Sequence, residues 1–297
     1  MALLTSVLAT EKIKVVATFL PIYAHTQSIA GHLADVHCLV GAGTDPHDFQ
    51  FKPSDMKKLS EAEVIVMNGV GIEMWLDKPL EKFRSMNKTV INASEGLSLL
   101  ENTEIIELSS AHEGHHHNEG DHCDQHGEGK NPHTWLDPVN ASLQVKNILN
   151  GLIKADPKNK NGYEKNASLY LAELEKLHQE FKSEVEVLKN KNLITFHDAF
   201  LYLAHRYQFK YIGCVEDVPE KKPSPKVLKE IIDLIKNHQV KTVFVEEGYS
   251  QRSLHSISRD SGAKIATLDT IEVGKPEANA YLNRMRNNIQ ALKSAWQ

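Results

Sequence analysis

The stretch PKNKNGYEKNASLYLAELEKLHQEFKSEVEVL, Pro157 to Leu188, decides the architecture of this chain. Leu171, Leu174, Leu177, Phe181, Val185 and Leu188 recur at spacings of three and four, the period of one face of an α-helix. At 1.5 Å per residue such a helix is about 45 Å long, the length of a whole lobe. A helix of that length between two folded halves is a stiff connector, not a flexible hinge.

Outward from this stretch, both sides have the same plan. On the N-terminal side, strand-like runs at 13–19, 36–40, 64–67 and 89–92 alternate with helical patterns at 22–33 and 54–61. Asp137 and Pro138 then start a helix over 138–153. On the C-terminal side, strands at 193–196, 210–214, 242–246 and 264–268 alternate with helices at 198–207, 225–237, 250–260 and 277–295. This order predicts an α/β fold of two parallel-sheet lobes, 11–156 and 190–297, joined by the long helix over 157–189. Ligands of such sheets sit in the crevice past the carboxyl ends of the strands, which places a site in the cleft between the lobes.

Composition narrows the function. Hydrophobic residues make up 41% and charged residues 25%, ordinary values for a water-soluble chain with ample apolar material for its cores. The net charge of −5 and the scattered Lys and Arg argue against a nucleic-acid partner. No later run approaches the roughly 20 apolar residues of a membrane span. Met1 to Thr10 (MALLTSVLAT) reads as the remnant of a signal peptide ending in small residues near Ala9, so a periplasmic location is expected. The three cysteines, Cys38, Cys123 and Cys214, form no CxxC pair.

The 16 histidines are the compositional anomaly. Six of them, His112, His115, His116, His117, His122 and His126, fall within Ser109 to Asn131, together with five acids and four glycines. A segment with so little apolar content cannot bury a core and is expected to be a disordered loop. Its histidines are candidate weak, auxiliary metal ligands, and an incidental polar loop is the plainer alternative.

Four other residues stand where a closed site is expected. His47 follows the second strand, His133 precedes a helix, and His197 and Asp269 each follow a strand of the second half. Three imidazoles and a carboxylate suit Zn²⁺ in tetrahedral geometry, whereas more oxygen ligands favour Mn²⁺. Asp137 and Asp198 are placed either to orient imidazoles or to cap helices. On spacing alone each histidine could equally be an ordinary hydrogen-bonded residue.

The local text carries a resemblance. Pro46-His47-Asp48-Phe49 with Lys52-Pro53-Ser54-Asp55, Asn68-Gly69-Val70-Gly71-Ile72-Glu73 with Trp75-Leu76, Asn131-Pro132-His133-Thr134-Trp135-Leu136-Asp137-Pro138, Phe196-His197-Asp198-Ala199-Phe200, Val245-Glu246-Glu247 and Leu268-Asp269 occur in that order. Together they resemble the motif blocks of the periplasmic and lipoprotein metal-binding components of zinc and manganese ABC importers, from Lys12 onward. The His-rich acidic loop makes the ZnuA-like zinc-binding type the nearest match. The resemblance implies two α/β lobes on a long helix, opening only modestly. It implies that His47, His133 and His197 bind the metal. His197 stands where manganese-type members usually have Glu, which favours zinc. Asp269 matches a carboxylate that completes the site in many members, a place that water or another carboxylate takes in some zinc members. A cysteine pair found in some zinc-type relatives is missing.

The expected function is therefore a carrier, not an enzyme. It would be a monomeric solute-binding protein that captures Zn²⁺ as cargo and hands it to an ABC permease, without inserting into the membrane itself. The alternatives are a Mn²⁺ or Fe²⁺ carrier of the same fold, a zinc hydrolase using Glu246, Glu247 or Asp198 as base, and a surface adhesin. No predicted helix carries HExxH.

Overall fold

Alternation of side chains along short strands gives each sheet two buried faces. The structure, a computed structural model, describes residues 11–86, 88–101, 129–214, 225–246 and 251–296. In β1 (Lys14–Ala17), Val15 and Ala17 join one core cluster and Val16 a second on the opposite face. In β3 (Val64–Met67), Val64 and Val66 join the first and Ile65 the second. This is the period-two rule applied to strands covered by helices on both sides.

The first lobe is a parallel sheet ordered β2-β1-β3-β4, with β2 at Asp35–Cys38 and β4 at Thr89–Asn92. Its helices are α1 (Leu20–Ala30), α2 (Pro53–Glu61), α3 (Asp77–Ser85) and α4 (Pro138–Ala155). The second lobe has the parallel pairs β5 (Asn192–Thr195) with β6 (Lys210–Cys214) and β7 (Thr242–Val245) with β8 (Lys264–Thr267). The two pairs adjoin where β5 lies beside β7, so the order of the first lobe is repeated. Its helices are α6 (Leu201–Tyr207), α7 (Pro225–Asn237), α8 (Gln251–Ser261) and α9 (Ala280–Trp296).

The connector, α5, runs Lys160–Glu186 over 27 residues, so it spans about 40 Å. It is a few residues shorter than the periodicity implies, because Pro157–Asn159 form a separate 3₁₀ turn under Asp156, whose carboxylate accepts from Asn159 and Tyr163. Tyr163, Ala167, Tyr170, Leu174, Leu177, Phe181 and Val185 bury one face of α5 against α1, α4 and α9. As a result one apolar cluster runs unbroken from Val15 in β1, across α5, to Phe244 in β7 and Trp296 in α9. Opposite charges line the same seam: Arg286 of α9 meets Glu173 and Glu180 of α5. Helix α3 is not evident in the sequence pattern, since its buried side is only Pro79, Leu80 and Phe83. Among the described residues neither Cys38 nor Cys214 is in a disulfide. Among the described residues no helix is long and apolar enough to cross a membrane.

Candidate metal centre

Each histidine is delivered by a device visible in its own sequence block. His47 sits in the loop between β2 and α2. Trp75 holds that loop by donating from Nε1 to the Pro46 carbonyl at 3.0 Å, with Phe49 and Phe51 packed on its ring. His47 N donates to Asp45 Oδ1 at 2.8 Å. His133 lies one turn before α4, which is capped by the Asp137 carboxylate accepting from Val139 N. Of the two roles open to Asp137, capping is the one observed, and the same carboxylate also pairs with Arg206 of α6.

The Asn68–Glu73 block supports this turn from below. Buried Glu73 accepts from Thr18 Oγ1 and from the Asn68 and Gly69 amides, at 2.8, 2.7 and 3.0 Å. Burial, partly offset by these donors, pushes its carboxyl up to about 7. Asn68 in turn donates to the Pro132 carbonyl and accepts from Thr134 and Gln144. This motif block is thus a brace for His133.

His197 lies two residues past the end of β5. Its Nδ1 lies 3.3 Å from Oε1 of Glu246, which follows β7. Both side chains are buried.

The three histidines converge with one carboxylate. His133 Nε2 is 3.3 Å from His47 Nε2 and 3.3 Å from His197 Nε2. Glu272 Oε1 is 3.0 Å from His47 Nε2 and 3.4 Å from His133 Nε2. One ligand atom from each of His47, His133, His197 and Glu272 falls within 4.8 Å of the others. A tetrahedron of nitrogen ligands about 2.0–2.1 Å from Zn²⁺ has edges of about 3.3–3.4 Å. The two 3.3 Å imidazole–imidazole spacings and the 3.4 Å spacing from Glu272 to His133 match those edges, and that from Glu272 to His47, at 3.0 Å, is shorter.

Asp269 was the carboxylate expected here, and the structure places it elsewhere. Its carboxylate is paired with Arg284 and accepts from Ile271 N, while Glu272, three residues on, enters the cleft. The chain turns back at Ile271, which has φ +66°, a left-handed conformation rare for a β-branched residue. A glycine there would have signalled such a turn, and isoleucine does not. The six loop histidines, His112 to His126, and the segment Met1 to Thr10 lie outside the described residues.

The proton positions follow from the network. His133 is fully buried, and burial lowers its pKa to about 3 against the pull of Glu272. It is neutral, with Nδ1 donating to Asn131 Oδ1 at 3.0 Å, so its Nε2 lone pair faces the cleft. For His197, burial opposes charge, but Glu246, Glu272 and Asp198 outweigh it and raise the pKa to about 9. Burial likewise opposes charge on His47, and Glu272 and Asp45 raise it nonetheless. Burial would raise Glu272, yet His47 and His133 hold it well below the usual carboxylate range. Without metal, a proton on His197 places positive charge beside Glu246 and Glu272.

The sequence model of the family described as "ZnuA: Zinc-uptake complex component A periplasmic" matches residues 15–295. The chain belongs to this family. The "High-affinity zinc uptake system protein ZnuA" of Bacillus subtilis is 33% identical over 289 residues, covering 96% of this chain and 88% of that protein. The chain spans about half the length (56%) of the streptococcal relatives named "Zinc-binding protein AdcA". Among solved structures, the Zn(II)-bound ZnuA-like domain of Streptococcus pneumoniae AdcA superposes with a TM-score of 0.78 at 29% identity, covering 96% of this chain and 99% of that one. FpvC of Pseudomonas aeruginosa in complex with Mn²⁺ gives 0.80 at 27%, covering 97% and 99%. The ZnuA family is a transport component and not an enzyme, so the hydrolase alternative falls away.

Proposed function

We propose that this chain is the extracytoplasmic solute-binding protein of a zinc uptake system, taking Zn²⁺ as cargo on His47, His133, His197 and Glu272 and delivering it to an ABC permease. The observation that carries this reading is the convergence of three imidazole nitrogens, His133 Nε2 lying 3.3 Å from each of the other two, with one carboxylate oxygen within 4.8 Å of them all. Three nitrogens and one oxygen match the borderline-soft preference of zinc better than the oxygen-rich preference of manganese. The Mn²⁺ complex of FpvC, a structural neighbour, motivates the manganese-carrier alternative, and a competition experiment separates the two. The acidic, His-rich segment 109–131 enters the proposal from its composition, as a low-affinity collector that runs directly into His133.

The test is a zinc titration of the metal-stripped protein. One tight equivalent is expected, lost in His47→Ala. Removing residues 111–129 should abolish only weaker, additional equivalents. Tight Mn²⁺ binding that Zn²⁺ fails to displace would overturn the choice of cargo.

The protonation pattern adds a signature to the same titration. His197, with a pKa raised to about 9, is protonated at pH 7.4 and must lose that proton to bind metal. Calorimetry in buffers of different ionisation enthalpy should show at least about one proton released per zinc at pH 7.4. Affinity should fall by about tenfold per proton for each pH unit of acidification below about 9, and level off above it. A proton count of zero at pH 7.4 would contradict the site described.

A further inference from the structure

Resting on the proposed zinc site, the geometry points to Asp269 as a positioning residue, the clamp that aims Glu272 into the cleft. Its atoms are all engaged in holding the turn. Asp269 N donates to Asn288 Oδ1 and its carbonyl accepts from Asn288 Nδ2, both at 2.8 Å. Its Oδ1 accepts from Ile271 N at 2.8 Å, and its other oxygen pairs with Arg284. Arg284 also donates from Nη1 to the Val273 carbonyl at 2.6 Å, so one guanidinium spans both ends of the turn. Arg284 and Asn288 are four residues apart on α9 and so share a face. The turn is thereby fastened to a rigid helix.

Two further contacts support the turn. Trp135 donates from Nε1 to the Thr270 carbonyl at 2.8 Å. Ile271 is fully buried in the main core, and this keeps it in a left-handed conformation that β-branched residues rarely adopt. Gly274 leaves space for the guanidinium, since a Cβ there would lie 2.7 Å from Arg284 Nη1. Such backbone conformations persist only where the surroundings over-determine them, and they gather at ligand clamps. Reversal at Ile271 brings Glu272 Oε1 to within 3.0 Å of His47 Nε2. Asp269 therefore acts through Glu272 and does not touch the metal.

A double-mutant cycle read as zinc affinity tests this, using chelator competition on the full chain. Asp269→Asn should weaken zinc binding about 10–100-fold, the usual cost of losing an outer-shell partner. Glu272→Gln should weaken it by at least as much. The double variant should bind no more weakly than Glu272→Gln alone, because the clamp then has nothing to aim. Arg284→Gln, which removes the other half of the clamp, should show the same dependence on Glu272 and covers the case in which Asp269→Asn folds poorly. Additive losses would mean that Asp269 contributes independently, as a ligand or through general stability, and would overturn the proposal. So would wild-type affinity in Asp269→Asn. Wild-type affinity in Glu272→Gln sinks the four-residue site itself, a different failure.

Discussion

Replacing His133 by alanine is expected to weaken zinc binding by about 10²–10³-fold while leaving the metal-free protein folded. His133 Nε2 is the central atom of the cluster, within 3.4 Å of the ligand atoms of His47, His197 and Glu272. It is also the imidazole already neutral without metal, so it contributes its lone pair with no proton to displace. Protein zinc sites of four ligands hold the ion with apparent free energies of about 10–16 kcal/mol, about 2.5–4 kcal/mol for each ligand. At 1.4 kcal/mol per decade that share is the stated range. The fold should survive because α4 keeps its Asp137 cap, and Trp135 keeps its bonds to the second lobe. A chelator-competition titration of the variant decides the matter, and a loss below tenfold would remove His133 from the site.

The second large effect is on stability. Trp135→Ala should destabilise the metal-free protein by about 3–5 kcal/mol, the range for deleting a large buried aromatic. Trp135 is fully buried, edge-on to Phe19 at the end of β1. Its indole donates to the Thr270 carbonyl, and its own carbonyl accepts from Tyr281 of α9 at 2.7 Å. It therefore joins the turn carrying His133 to the turn carrying Glu272. Trp135→Phe separates volume from hydrogen bonding. It keeps most of the apolar packing and leaves the buried Thr270 carbonyl without its donor, a cost of about 1–3 kcal/mol. Urea unfolding of the three proteins, with unchanged slope, should rank them wild type, Trp135→Phe, Trp135→Ala. A Trp135→Ala loss under 1 kcal/mol would show that the two turns are held independently.

How far the sequence can be read depends on which physical signal each element carries. The long helix is legible because seven side chains must face the core along α5, and that demands a regular period. The parallel strands are legible because both faces are buried and the runs are continuously apolar. Helix α3 is not, since three buried residues in nine set no period. His47, His133 and His197 are legible because loops past strand ends are where such folds place their ligands. Glu272 is hidden for a local reason. Whether a carboxylate enters the cleft depends on the dihedral angles of Ile271, and its unusual φ is imposed by partners on α9 and in the 131–137 segment, far away in sequence. Asp269, next to the strand, is the natural choice without that knowledge, and the same Arg284 that fixes the turn occupies it. Glu246 beside His197 was legible as a residue of interest but not in its role, which needs the separation of β5 and β7 termini in space.

The apolar cluster that crosses α5 without a break has a thermodynamic meaning. Residues of both lobes bury their surface against one another's neighbours, so neither half taken alone has a complete interior. In folding terms the two lobes are a single cooperative unit, and calorimetry should record one transition where two independent domains would give two. The same economy limits how the molecule moves. Bending the lobes apart would expose the shared interior along α5, so a wide opening of the cleft carries an energetic cost.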